Sequence, residues 1–193
     1  MAINKWIRPI GILAGLWCAP KLYAGAFDIP AEFEQGLQAL AQDNKSALIQ
    51  SVDALQAQIE TQPMAIYLEA RWLGERVEEQ PADVANFLAK YPDAPLASRI
   101  KRRYLAYLAD LEEWQHYLSV YEAPPFCRAD TALQCWKKTA LIKLEGALTV
   151  EQQQTALAIW TRGSSQPDAC DPVFAYLDEQ QLLTKERYQQ RIK

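Results

Sequence analysis

The sequence predicts an all-α protein built of antiparallel helix hairpins that stack into a curved solenoid. Three observations carry this. Of 193 residues, 29 are Ala, 23 Leu and 18 Gln, while Val (6) and Gly (7) are scarce. That balance favours helix over sandwich, barrel or Rossmann sheet. Apolar residues recur at i, i+3 and i+4 in one segment after another, and no alternating Val/Ile/Thr run reads as a strand. Most links are only a few residues long, which makes consecutive helices antiparallel neighbours. No strict 34-residue signature is present, so the repeat is degenerate at best.

Residues 1–26 read as a signal peptide. Lys5 and Arg8 supply a positive start, Ile10 to Trp17 a short apolar run, and Ala24-Gly25-Ala26 a small-residue cleavage site ending at Ala26. The run is too short to span a bilayer. Trp17 before Cys18 argues against lipidation, since a small residue is needed there, and no twin arginine is present. Phe27-Asp28-Ile29-Pro30 reads as an extended start to residues 27–193, against the alternative of a buried N-terminal helix.

The helices then follow in order. Phe33, Leu37 and Leu40 share one face after Pro30. Leu48, Val52, Leu55 and Ile59 form the next stripe, and Ile66, Ala70, Leu73 and Val77 the third, punctuated by Pro63 and Gly74. Val84, Phe87, Leu88 and Tyr91 lie between Pro81 and Pro92. Leu96, Ile100, Tyr104, Leu108 and Leu111 make a longer helix. Trp114, Tyr117, Leu118 and Tyr121 come next, then Leu133, Trp136, Ala140 and Leu144, and Ala156, Leu157 and Trp160 close the series. Two loops interrupt it, Glu122 to Asp130 and Gly163 to Asp171, both rich in turn residues.

Charge and residue counts exclude several functions. The net charge is −4 and the sequence pI about 5.1. Cleavage after Ala26 would also remove Lys5, Arg8 and Lys21, so nucleic acid and anionic lipid are poor partners. His116 is the one histidine, so no His-based metal cage forms. Cys127, Cys135 and Cys170 remain after the leader, without the spacing of a zinc site. Export favours a disulfide and leaves one cysteine over. Cys135–Cys170 would tie two hairpins together across about 35 residues, a stabilisation of about 3–4 kcal/mol. Cys127–Cys170 is the alternative.

Other residues have both a sharp and a plain reading. Glu78-Glu79 and Glu112-Glu113 offer paired carboxylates, as glycosidases use. Adjacent helix residues do not face one point, so they read as solvated faces or caps. His116, between Gln115 and Tyr117, has no nucleophile nearby and reads as a surface or half-buried helix residue. Arg99, Lys101, Arg102 and Arg103 could dock an acidic partner, but read as a solvated face. Trp72, Trp114, Trp136 and Trp160 could stack on sugars, but their helical spacing reads as core. Tyr107 and Tyr121 fall off the stripe and are the weaker candidates for glycan contact.

The stretch Trp160-Thr161-Arg162-Gly163-Ser164-Ser165-Gln166-Pro167-Asp168-Ala169-Cys170-Asp171-Pro172-Val173-Phe174 resembles the soluble lytic murein transglycosylases. It looks like a W-x-x-G-x-S-Q-P-x-A-C-D-x-x-F stretch in their N-terminal helical region. Looser matches are Tyr67-Leu68-Glu69-Ala70-Arg71, Val84-Ala85-Asn86-Phe87-Leu88 with Tyr91-Pro92, and Glu112-Glu113-Trp114. The resemblance implies a right-handed α-superhelix over residues 27–193 and a periplasmic setting. It also implies the partner cysteine at Cys135, hence Cys135–Cys170. The implied family reaction cleaves the MurNAc–GlcNAc β-1,4 bond of peptidoglycan and leaves 1,6-anhydromuramoyl ends. The implied partners are glycan strands or cell-wall proteins, and the basic cluster could meet peptide carboxylates of peptidoglycan. No cofactor or metal is implied.

The family's catalytic glutamate directly precedes a serine. None of the 14 glutamates here does, so no catalytic residue carries over and these residues are expected to be inactive alone. The last residues, Arg191-Ile192-Lys193, fall inside a helix starting near Thr184, without a capping glycine. The expectation is a truncated solenoid. Its cut end would expose an apolar stripe at Leu177, Leu182, Leu183 and Ile192 and favour self-association.

Overall fold

The computed structural model describes residues 29–124 and 130–191. Ala26 with the leader, Cys127 and Ile192 lie outside the described residues. Among the described residues the fold is all helical: α1 (Ala31–Ala41), α2 (Lys45–Gln56), α3 (Gln62–Glu75), α4 (Pro81–Lys90), α5 (Ala97–Asp110), α6 (Trp114–Glu122), α7 (Thr131–Glu145), α8 (Val150–Trp160), α9 (Asp171–Glu179) and α10 (Lys185–Arg191). None is long and apolar enough to cross a membrane.

Helix starts follow local chemistry. Pro63 and Pro81 sit in the first turns of α3 and α4, where no N–H is needed. The Asn44 carboxamide accepts from Ala47 N at 3.1 Å, and the Asp130 carboxylate from Leu133 N at 3.2 Å. Thr149 and Gln152 form a reciprocal capping box at α8. Gly146 ends α7 in the left-handed region, at φ 80°.

The helices form two layers. Each odd-numbered helix from α1 to α7 packs on the next odd one, and α2, α4, α6 and α8 each pack on the odd helices before and after them. The odd helices therefore form a continuous layer, with the even ones set against it.

A hidden repeat underlies it. Asp43, Glu112 and Gln181 are the described non-glycine residues with positive φ, at 53°, 55° and 56°, and they stand 69 residues apart. Each closes the same Schellman turn. Asn44 N donates to Ala39 O, Glu113 N to Leu108 O and Leu182 N to Leu177 O, all at 2.9 Å. The three carbonyl residues are all buried. The starts of α2, α3 and α4 recur 69 residues later at α6, α7 and α8.

Two apolar clusters fill the space between layers. The larger runs from α1 into α7, and the smaller surrounds Cys135, Trp160, Cys170, Val173 and Leu177. Several expectations are corrected here. Leu37 is 39% exposed because α1 turns Gly36 and Ala39 inward instead. Ile59 is 78% exposed because α2 has ended at Gln56. Leu111 and Leu144, at or beyond the last turns of α5 and α7, face solvent. The second loop is shorter than expected, because a 3-10 turn at Asp168–Cys170 runs straight into α9. Leu177 is fully buried by that helix, and Leu182 and Leu183 are half-buried, so the expected exposed stripe does not form there. Tyr188 and Arg191 of α10 pack on the Trp160 ring.

Candidate functional site

The structure bonds Cys135, in the second turn of α7, to Cys170, at the end of the 3-10 turn, with Cα atoms 4.8 Å apart. Both sulfurs sit in the smaller core, where Tyr176 Oη accepts from Leu148 N at 3.1 Å. The bond staples α7 to the start of α9 across the α8 hairpin. It is buried, so it holds the fold and is not a surface redox group.

The other candidates separate in space. Glu78, Glu79, Glu112 and Glu113 are exposed and near helix ends. His116 is exposed, with its ring edge-on to Tyr104 and Nε2 3.5 Å from Tyr104 Oη. Trp72 and Trp160 are buried, whereas Trp114 and Trp136 are half-buried, as are Tyr107 and Tyr121. The basic cluster is not one solvated face. Lys101 is 1% exposed, and its ammonium donates to Tyr121 O at 3.0 Å and to Ala123 O, closing the end of α6. Arg102 turns to the Asp130 carboxylate at 3.3 Å, and Arg103 donates to Gly74 O near the end of α3. A cation at a helix C-terminus satisfies carbonyls that lack an intrahelical partner and opposes the negative end of the macrodipole.

A cleft among the described residues was not anticipated from sequence. It measures about 420 Å³ and opens between α2 and α4, with α3 as its floor. Lys45 Nζ, at the first residue of α2, donates to Gln80 Oε1, just before α4, at 3.2 Å. That clasp joins the starts of α2 and α4. The Trp72 indole N–H reaches the same oxygen at 3.4 Å. The outer face of the indole is occupied by the Arg76 guanidinium, 3.6 Å from the ring centroid. Arg76 is held there by Trp72 O at 3.3 Å and by the Asp43 carboxylate.

One turn along α3, Glu69 is half-buried in the cleft and has no hydrogen bond or ion pair among the described residues. Burial pushes its carboxyl above the usual range, with Lys90 pulling it down and Asp83 adding to the rise. No Ser, Cys or His lines the cleft. Among the described residues no cluster of three His, Cys, Asp or Glu is placed to hold a metal. The cleft thus has charges of both signs for binding. A sequence signal existed, because Lys45, Ile49, Val52, Asp53 and Gln56 recur at helical spacing on α2, as do Gln80, Asp83, Phe87 and Lys90 on α4.

No protein-family profile matches the sequence. The chain is 31% identical over 125 residues to a soluble lytic murein transglycosylase of Escherichia coli, covering 64% of this chain and 19% of that protein. It is 30% identical to the Salmonella typhimurium protein over the same shares. A solved structure, an inactive mutant of lytic transglycosylase Slt from Pseudomonas aeruginosa, superposes with a TM-score of 0.70 and 27% identity, over 85% of this chain and 25% of that one. The chain spans about a fifth of the length of the curated relatives it matches.

Proposed function

We propose that this chain, similar in sequence and fold to part of the soluble lytic murein transglycosylases, is an exported, periplasmic helical scaffold in peptidoglycan turnover. In this reading the 193 residues hold no cleavage chemistry of their own. The observation that carries it is the joint likeness: a TM-score of 0.70 over 85% of the chain, with 31% identity to a curated relative over 64% of it. The buried Cys135–Cys170 bond supports export, since such bonds persist in oxidising compartments. The carboxylates support inactivity: the adjacent glutamate pairs are dispersed on exposed helix ends, and none of the 14 glutamates directly precedes a serine.

A second reading is a free-standing periplasmic module that binds glycan or a cell-wall protein. The α2–α3–α4 cleft favours the protein-binding form of this reading, because it is a concavity away from the disulfide core with charges of both signs in its lining. The test is a zymogram with cell-wall-embedded gel, run beside fractionation of cells expressing the full chain. The proposal expects the protein in the periplasmic fraction and no clearing. A cleared band from the purified chain, or retention in the cytoplasm, would contradict it.

A further inference from the structure

The cleft between α2 and α4 has Lys45 at one end, the carboxylates of Asp53, Glu69 and Asp83 along it, and Lys90 at the far end of α4. At one end are the Lys45 ammonium and the Gln80 amide, where both flanking helices begin. Lys45 uses one of its three donors on Gln80. Gln80 uses only its oxygen, which leaves its amide N–H groups to donate. The positive ends of the α2 and α4 macrodipoles add to this side. About one turn further, some 5 Å along the axis, stands Glu69, with Asp83 acting on it electrostatically. The Glu69 carboxylate is half-buried, and Lys90 offsets the effect of burial only in part, so a ligand cation adds to what Lys90 supplies.

A sugar does not suit this site. The aromatic there, Trp72, is only 6% exposed, its N–H is engaged and its face is covered by Arg76. An extended dipeptide, in contrast, places its ammonium and carboxylate about 7 Å apart, long enough to bridge groups on successive helix turns. The cavity volume lies within the range that takes small ligands.

We propose that the α2–α3–α4 cleft binds a short zwitterionic peptide of dipeptide length, with its ammonium against Glu69 and Asp83 and its carboxylate against Lys45 and Gln80. This rests on the cleft's own charges, not on a role in the cell wall, so peptide binding and sacculus binding can fail separately.

The test is isothermal titration of dialanine into the oxidised full chain, beside N-acetyl-dialanine, dialanine amide and a GlcNAc tetrasaccharide. Dialanine binds saturably, and each blocked peptide binds about tenfold weaker. In Glu69→Gln acetylation loses its effect, and in Lys45→Met amidation loses its effect, while both variants keep the wild-type melting curve shape and circular dichroism. Absence of saturable dialanine binding, equal binding of the blocked peptides, or preference for the tetrasaccharide overturns the proposal.

Discussion

Asp43 and Glu112, 69 residues apart, hold the same left-handed backbone in the turns that join α1 to α2 and α5 to α6, and Gln181 repeats them once more. A residue with a side chain is strained there, and glycine is not.

Glu112→Gly and Gln181→Gly should therefore each stabilise the chain by about 1 kcal/mol, net of the freedom that glycine adds to the unfolded state. Asp43→Gly should gain less, since Asp43 also pairs with Arg76. Thermal unfolding checks this, with an expected rise of about 2–4 °C per favourable change. No rise at either position would show that the turns are not strained.

Gly36 answers to the opposite constraint. A Cβ there would overlap Leu68 Cδ1 and meet Ser51 Cβ at 3.3 Å, and Leu68 is fully buried. Gly36→Ala gains about 1 kcal/mol of helix propensity but overpacks the α1–α2–α3 contact, which costs about 1–3 kcal/mol. The expected outcome is net destabilisation by urea unfolding. Leu68→Ala in the same background should recover part of the loss attributable to the clash.

The disulfide closes a loop of 35 residues in the smaller core. The double variant Cys135→Ser/Cys170→Ser should lose about 3 kcal/mol relative to the oxidised chain. Urea unfolding with and without reductant measures it: reductant should shift the wild-type midpoint and leave the double variant unmoved.

Glu69 makes stability depend on pH. Its carboxyl titrates above its unfolded value, so the folded chain holds a proton that the unfolded chain has released. Stability contributed by the protonated group is present below the unfolded range and is lost as pH rises through the raised folded value. Glu69→Gln should consequently stabilise the chain at neutral pH and leave it nearly unchanged in acid below the usual carboxyl range. Equal effects at both pH values would mean that burial of Glu69 is not the cause.

Much of the fold was legible in the sequence, for identifiable reasons. Pro63, Pro81, Asp130 and Thr149 announce helix starts by their backbone chemistry, and the i, i+3, i+4 stripes place Val84, Phe87, Ile100 and Leu108 in the core. The 69-residue repeat was hidden because Asp43, Glu112 and Gln181 occupy positions that glycine would have marked. Lys101 was misread because a lysine in a basic run resembles a solvated face, while its ammonium closes α6 from inside. α9 was missed because Pro172 follows a run of turn residues, yet Pro suits the first helical turn. The cleft draws its charges from three helices, and no single stretch of sequence contains it.

The proposed scaffold role requires peptidoglycan turnover without cleavage by these residues. Incubation of the oxidised chain with purified sacculi, followed by sedimentation and analysis of the soluble fraction, tests it. No 1,6-anhydromuropeptides above a protein-free control are expected; their release by the chain alone overturns the proposal. Folded protein in the pellet would favour the free-standing glycan-binding module, and folded protein left in the supernatant would rule that module out.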